Sequence, residues 1–304
     1  VGNNGQVIAS VIPNVELIIG PQSPVAELPP AEAQSRFNHV FQRFIHAFCL
    51  PGRPLILFLD DLQWADLATL RLLETLMGSE GVGHLILIGA YRDNEVGPTH
   101  PLSSALARLT EGGFAFEQFT LTPLHQEDIA ELLADTLRAD VETVTPLAEL
   151  VMRKTMGNPF FVTQFLKTLY ADRLIEFRLD DGGVDSGWHW DMARILAVDI
   201  TDNVVELMVA RLRKLPEATR DALKLAACIG NAFTLDSLVI ILERDSQAVL
   251  NGLMPALQAE LIEETSDGSS LAHFRFQHDR VQQAAYSLID EVQRKAVHLG
   301  IGRQ

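Results

Sequence analysis

The sequence predicts an α/β fold: a partial parallel sheet within residues 1–123, a helical region with a hairpin over 124–192, and a winged-helix-like module over 193–304. Three observations carry that expectation. An apolar run at residues 54–59 ends in two adjacent acids, Asp60 and Asp61, and helix-spaced leucines follow it. A second apolar run at residues 85–91 leaves through Arg92, Asp93, Asn94 and Glu95. After Pro123 the strand-like runs give way to helical spacing.

Taken in order, residues 1–30 hold Val7, Ile8, Val11, Ile12, Val15, Leu17, Ile18 and Ile19, interrupted by Pro13, before a connector marked by Pro24, Pro29 and Pro30. Residues 31–49 predict a helix, because Phe37, Val40, Phe41, Phe44, Ile45 and Phe48 recur at three- and four-residue spacing. Pro51-Gly52 ends it. An unbroken apolar run such as 54–59 is how a parallel strand covered on both faces reads. The helix after it, 67–77, has Asp66 in position to cap its start. Strand, helix, strand with short loops implies a right-handed parallel crossover, so the exits at Asp60-Asp61 and at Arg92 should lie side by side. Residues 116–121 are expected to add a third strand.

Beyond Pro123, helices are expected at 126–137 and 146–155, with a break at Gly157-Asn158-Pro159 and a further helix at 160–170. Residues 174–191 read as a hairpin turning at Asp180-Asp181-Gly182-Gly183, with Trp188 and Trp190 on its buried face. Helices follow at 203–214, 217–229 (stopped by Gly230), 234–243 and 246–259. Residues 261–265 and 272–276 flank Ser266-Asp267-Gly268-Ser269-Ser270, a second hairpin. A last helix begins near His278. Helices followed by a two-stranded wing describe a winged helix.

Composition narrows the function classes. Lys+Arg 24 against Asp+Glu 40 gives a net charge of -16 over 304 residues, which argues against a general nucleic-acid surface, since phosphate needs basic groups. Cys49 and Cys228 sit far apart in apolar segments and form no metal spacing or disulfide framework, which suits a reducing cytosol. No apolar run approaches a membrane span and no signal peptide is visible. A cytoplasmic protein is expected. The start at Val1 without methionine reads as a piece of something longer.

Acids at the exit of a buried parallel strand suggest a magnesium–nucleotide site, because ligands of open α/β sheets sit beyond the carboxyl ends of their strands. The string Leu57-Phe58-Leu59-Asp60-Asp61-Leu62-Gln63-Trp64-Ala65-Asp66 resembles the Walker B segment of STAND-type P-loop ATPases, relatives of the AAA+ class. Gly89-Ala90-Tyr91-Arg92-Asp93-Asn94-Glu95, Gly157-Asn158-Pro159-Phe160-Phe161 and Phe276-Gln277-His278-Asp279-Arg280 follow in the expected order. Together they most resemble the ATPase region of large bacterial signalling proteins that also carry serine/threonine kinase-like, GAF and histidine-kinase domains.

The resemblance implies a P-loop NTPase fold with helical lid and winged helix, ATP/ADP and Mg2+ as cofactors, and the linked kinase or GAF domains of the same polypeptide as partners. A homo-oligomer is possible in such a family, and direct DNA binding is not expected. It implies Asp60 as the magnesium-associated acid, Asp61 as the acid orienting the attacking water, and Arg92 as a sensor of the γ-phosphate. It implies Gly157 and Pro159 as lid residues near the adenine, and His278 as the winged-helix contact to the β-phosphate. Each has a purely structural alternative. Arg92 would pair with Asp93 or Glu95; Asn158 would cap a helix with Pro159 in its first turn; His278 would close the wing while Asp279 caps the last helix.

One departure is large. No Gly-x-x-x-x-Gly-Lys-Ser/Thr occurs in the 304 residues, so the phosphate cradle of the family is missing. Truncation ahead of Val1 is the economical expectation, and the isolated chain should bind ATP poorly and hydrolyse almost none. The leading expectation is a regulatory switch module coupled to kinase domains. The alternatives are the ATPase module of a transcriptional regulator and a non-catalytic scaffold.

Overall fold

A computed structural model describes residues 4–78, 83–178, 187–198, 200–265, 272–290, 294–295 and 297–299. It is mixed α/β and mostly helical, and it divides into two compact units, Val1–Thr120 and Leu121–Gln304.

The first unit begins with two short helices, α1 (Gly5–Ala9) and α2 (Glu16–Ile19), then the long α3 (Pro30–His46). Pro30 opens α3, where a missing N–H costs nothing. Phe37, Phe41, Phe44 and Phe48 form a ladder along it, with successive ring centroids 5.6, 6.3 and 5.1 Å apart. The phenylalanines at 37, 41 and 44 pack with the small cluster of Val7, Ile8, Val15 and Val40. β1 (Leu55–Leu59), α4 (Leu67–Met77) and β2 (Leu85–Gly89) make the expected strand–helix–strand unit, and α5 (Pro101–Glu111) packs on α4. β1 and β2 pair in parallel, Leu55 opposite Leu85 and Leu59 opposite Gly89. Leu70, Leu73, Leu76, Leu102 and Ala105 bury one side of this arrangement.

Two expectations for this sheet are corrected. Residues 116–121 form no strand: their backbone is irregular, and Phe119 and Leu121 are 77% and 94% exposed. Among the described residues of this unit the sheet has two strands, and one of its faces is covered. Leu55, Leu57 and Leu59 turn toward the helices, whereas Ile56, Phe58, Ile86 and Ile88 on the other face are each about half exposed. Continuous apolarity reports that both faces avoid polar groups. It does not report what covers them.

The second unit holds α6 (Gln126–Leu137), α7 (Val141–Thr155), α8 (Pro159–Ala171), the hairpin β3 (Ile175–Arg178) and β4 (Gly187–Trp190), and α9 (Met192–Ala197). It continues with α10 (Val204–Arg213), α11 (Glu217–Ile229), β5 (Ala232–Thr234), α12 (Leu235–Leu242), α13 (Ser246–Gln258), β6 (Ile262–Thr265), β7 (His273–Phe276) and α14 (Asp279–Ser287). Both hairpins pair antiparallel as expected, and β5 joins the second to give the order β5-β7-β6. The turns at 180–183 and 266–270 lie outside the described residues.

Helix α7 starts five residues earlier than its proline suggested. Pro146 sits inside it, and the lost N–H bond is offset by burying Val144, Leu147, Ala148 and Val151 completely. One continuous core runs from Ile129 on α6 to Ala285 on α14, so helices of the 124–192 and 193–304 regions share apolar packing. Arg211 on α10 reinforces it by donating to the buried Gln164 side chain on α8 and, at 3.1 Å, to the Ala259 carbonyl. Among the described residues no helix is long and apolar enough to cross a membrane.

Candidate functional site

The parallel pairing of β1 and β2 sets their exits side by side. The Ala90 N–H donates to the Leu59 carbonyl at 2.8 Å, and the Leu62 N–H to the Ala90 carbonyl at 3.0 Å. Leu62 then lies across Gly89, where a Cβ would come within 2.6 Å of its Cδ1. The glycine ending β2 is therefore what lets the Asp60–Leu62 turn sit tight against the neighbouring strand.

Asp61 adopts the left-handed region, φ 54° and ψ 39°, at the head of a single 3-10 turn, Leu62–Trp64. Asp is among the few side chains that tolerate it. One oxygen of Asp60 accepts the Asp61 N–H at 2.9 Å, which stabilises the turn. Asp61 Oδ1 accepts from the Gln63 side-chain amide at 2.7 Å. Arg92 reaches the same oxygen with Nε at 3.8 Å and Glu95 with its other end at 3.5 Å, while its guanidinium lies 5.5 Å from the Trp64 ring. The surface pairing expected for Arg92 is thus present through Glu95, and so is a contact to the strand-exit acid. With 34% and 38% of the two side chains exposed, the Arg92–Asp61 pair stays hydrated and adds little stability.

Asp66 caps α4 as the sequence implies. Its Oδ1 accepts the Thr69 N–H at 2.7 Å, and this hydrogen bond holds the carboxyl below the usual carboxylate range.

Gly157, Pro159 and His278 belong to the second unit. Asn158 Oδ1 accepts the Phe161 N–H at 2.9 Å and Pro159 is the first residue of α8, so the capping alternative is realised. Gly157 has φ 73°, and a Cβ there would lie 2.2 Å from the Leu124 carbonyl oxygen. Its own carbonyl accepts the Leu124 N–H at 2.9 Å. The missing side chain thus admits a neighbouring backbone. His278 caps α14, its Nδ1 accepting the Arg280 N–H at 3.1 Å and lying against the Asp279 carboxylate. Phe160, next to Pro159, stacks on the His278 ring with centroids 4.0 Å apart. The Gly-Asn-Pro-Phe and His-Asp motifs therefore meet in space.

Three residues here were not singled out from sequence: Gln63, Trp64 and Phe160. Gln63 lay in plain view between Leu62 and Trp64. Its burial, 6% exposed, has no signature in periodicity.

The acid pair suits a hard divalent cation only when other oxygens complete the shell, as phosphates and waters do for Mg2+. Among the described residues no group of three or more His, Cys, Asp and Glu could hold a metal by itself. Two carboxylates and a cation at adjacent strand exits can bind and neutralise a polyphosphate–metal complex, or can simply form a hydrated ion-pair cluster.

Comparison with known proteins finds similarity over part of the chain to one family. Residues 5–88 match the sequence profile of the AAA ATPase domain. Hybrid signal transduction histidine kinase G of Dictyostelium discoideum is 28% identical over 401 residues, an alignment that covers 99% of this chain and 11% of that protein. The chain thus spans about a tenth of the relative's length. The crystal structure of a signal transduction ATPase with numerous domains (STAND), with a tetratricopeptide repeat sensor, from Pyrococcus horikoshii superposes with a TM-score of 0.47 at 15% identity. That superposition covers 88% of this chain and 32% of the other. By sequence, residues 5–88 are AAA ATPase-like; they contain Asp60, Asp61 and Gln63, while Arg92, Gly157, Pro159 and His278 lie outside the match.

Proposed function

We propose that the chain is the nucleotide-responsive module of a signalling protein, a regulatory ATP/ADP switch coupled to kinase domains of the same polypeptide. The observation that carries this reading is the meeting of Asp61 and Arg92 at the exits of adjacent parallel strands, where α/β sheets take their ligands. The AAA ATPase match over Asp60 and Asp61 supports the nucleotide, and the signalling kinase named for the Dictyostelium relative supports the context.

In this reading Asp60 would hold Mg2+ and Asp61 would orient the attacking water. Bound Mg2+ would supply neutralisation of charge on the β- and γ-phosphates. Arg92 gives up its contact to Asp61 and answers negative charge on the terminal phosphate. For the second unit, taken by itself, the proposed roles are Gly157 and Pro159 beside a base and His278 as an imidazole for a phosphate. The winged-helix description of α10–α14 with β5–β7, and a cytoplasmic setting, belong to the same proposal. A non-catalytic scaffold keeps one observation in its favour: the 304 residues contain no Gly-x-x-x-x-Gly-Lys-Ser/Thr.

Asp61→Asn tests the reading in the full-length polypeptide that carries these residues. Asn tolerates the left-handed backbone of position 61 and can still accept from Gln63. The fold should therefore survive while ATP turnover falls on the order of a hundredfold. Turnover equal to wild type would remove Asp61 from the mechanism.

A further inference from the structure

We infer that Gln63 is a positioning residue of this site, fixing the Asp61 carboxylate to the exit of β2; the inference rests on the nucleotide reading above. Gln63 is 94% buried by its 6% exposure, yet neither end of its amide is wasted. Its Nε2 donates to Asp61 Oδ1 at 2.7 Å, and its Oε1 accepts the Arg92 N–H at 3.2 Å. The two partners fix the amide's orientation. Reversed, it would set oxygen against carboxylate and N–H against N–H.

One side chain therefore ties the acid to the backbone of the strand end that carries Arg92. The link runs through a residue that is itself locked. Gln63 follows Leu62, whose amide is bonded to Ala90 and whose side chain lies across Gly89. Without the Gln63 amide the Asp61 carboxylate would keep the longer, hydrated contact to Arg92 and could turn about χ1 and χ2. Holding Oδ1 leaves the other oxygen as the one that meets a water. A buried, doubly bonded amide performs that task without adding charge beside the acid.

Two substitutions separate this role from simple structural support. Gln63→Leu removes both bonds. Gln63→Glu keeps an acceptor for the Arg92 N–H but replaces the donor to Asp61 with a second carboxylate. In the 304-residue chain, hydrogen exchange of the Arg92 amide should quicken about tenfold in Gln63→Leu and stay near wild type in Gln63→Glu. In the full-length polypeptide, both variants should lose ATP turnover on the order of ten- to a hundredfold in kcat, with KM for ATP little changed.

A Gln63→Glu protein with wild-type kcat, or an Arg92 amide indifferent to Gln63→Leu, overturns the inference alone. Absence of ATP turnover in the wild-type full-length protein overturns the nucleotide reading and the inference with it.

Discussion

Phe160 and His278 stack face to face, ring centroids 4.0 Å and planes 18° apart, although 118 positions separate them in sequence. The contact joins the start of α8 to the cap of α14. Phe160 is held by the helix start that Asn158 and Pro159 build, and His278 by its bond to the Arg280 N–H. A double-mutant cycle with Phe160→Ala and His278→Ala should return a coupling of about 1 kcal/mol, the size of a ring stack beyond plain burial. Denaturant midpoints of the four proteins check it. Additive effects would mean the two rings are neighbours without being partners.

Gly157→Ala should destabilise the second unit whatever the ligand. The new Cβ would meet the Leu124 carbonyl oxygen at 2.2 Å on a backbone with φ 73°. Loss of the opposing Leu124 N–H bond to the Gly157 carbonyl would add to the strain. Together these should cost about 3 kcal/mol, read as a fall in the thermal midpoint without nucleotide. A midpoint equal to wild type would free Gly157 from its structural task and strengthen a role in binding.

The Asp66 cap predicts a pH signature. Its carboxyl is held below the usual range in the folded state by the Thr69 N–H. A carboxyl with a depressed folded value contributes stability that is fully present above its unfolded value, and it loses that contribution as the pH falls through the folded one. Asp66→Ala should therefore lower the thermal midpoint at neutral pH. The gap between variant and wild type should close on acidification below the usual carboxylate range. A gap constant from neutral to acidic pH would show that the charge on Asp66 does not stabilise α4.

Much of the fold was legible because its cues are local. The apolar runs at β1 and β2, their parallel pairing, the Asp66 cap and the stop at Gly230 follow from spacing and from turn and cap chemistry. Both hairpins and most helices of the second unit follow in the same way. The misses have one physical cause. Residues 116–121 carry strand-like composition, but a strand exists only where a partner supplies backbone hydrogen bonds, and they pair with none. Pro146 marks a helix start by local rule, yet the burial of Val144 and Leu147 carries α7 through it.

The sequence by itself determined the strand–helix–strand order of β1, α4 and β2 and set Asp60 and Asp61 at a strand end, because both depend on contacts a few residues away. Only the tertiary structure decided what those acids touch. The Arg92 guanidinium on Asp61, the buried Gln63 amide between them, the Leu124 backbone over Gly157 and the Phe160 ring on His278 all join distant positions. Such contacts are set by how strands and helices pack. Periodicity, which records only which side of an element avoids water, carries no trace of them.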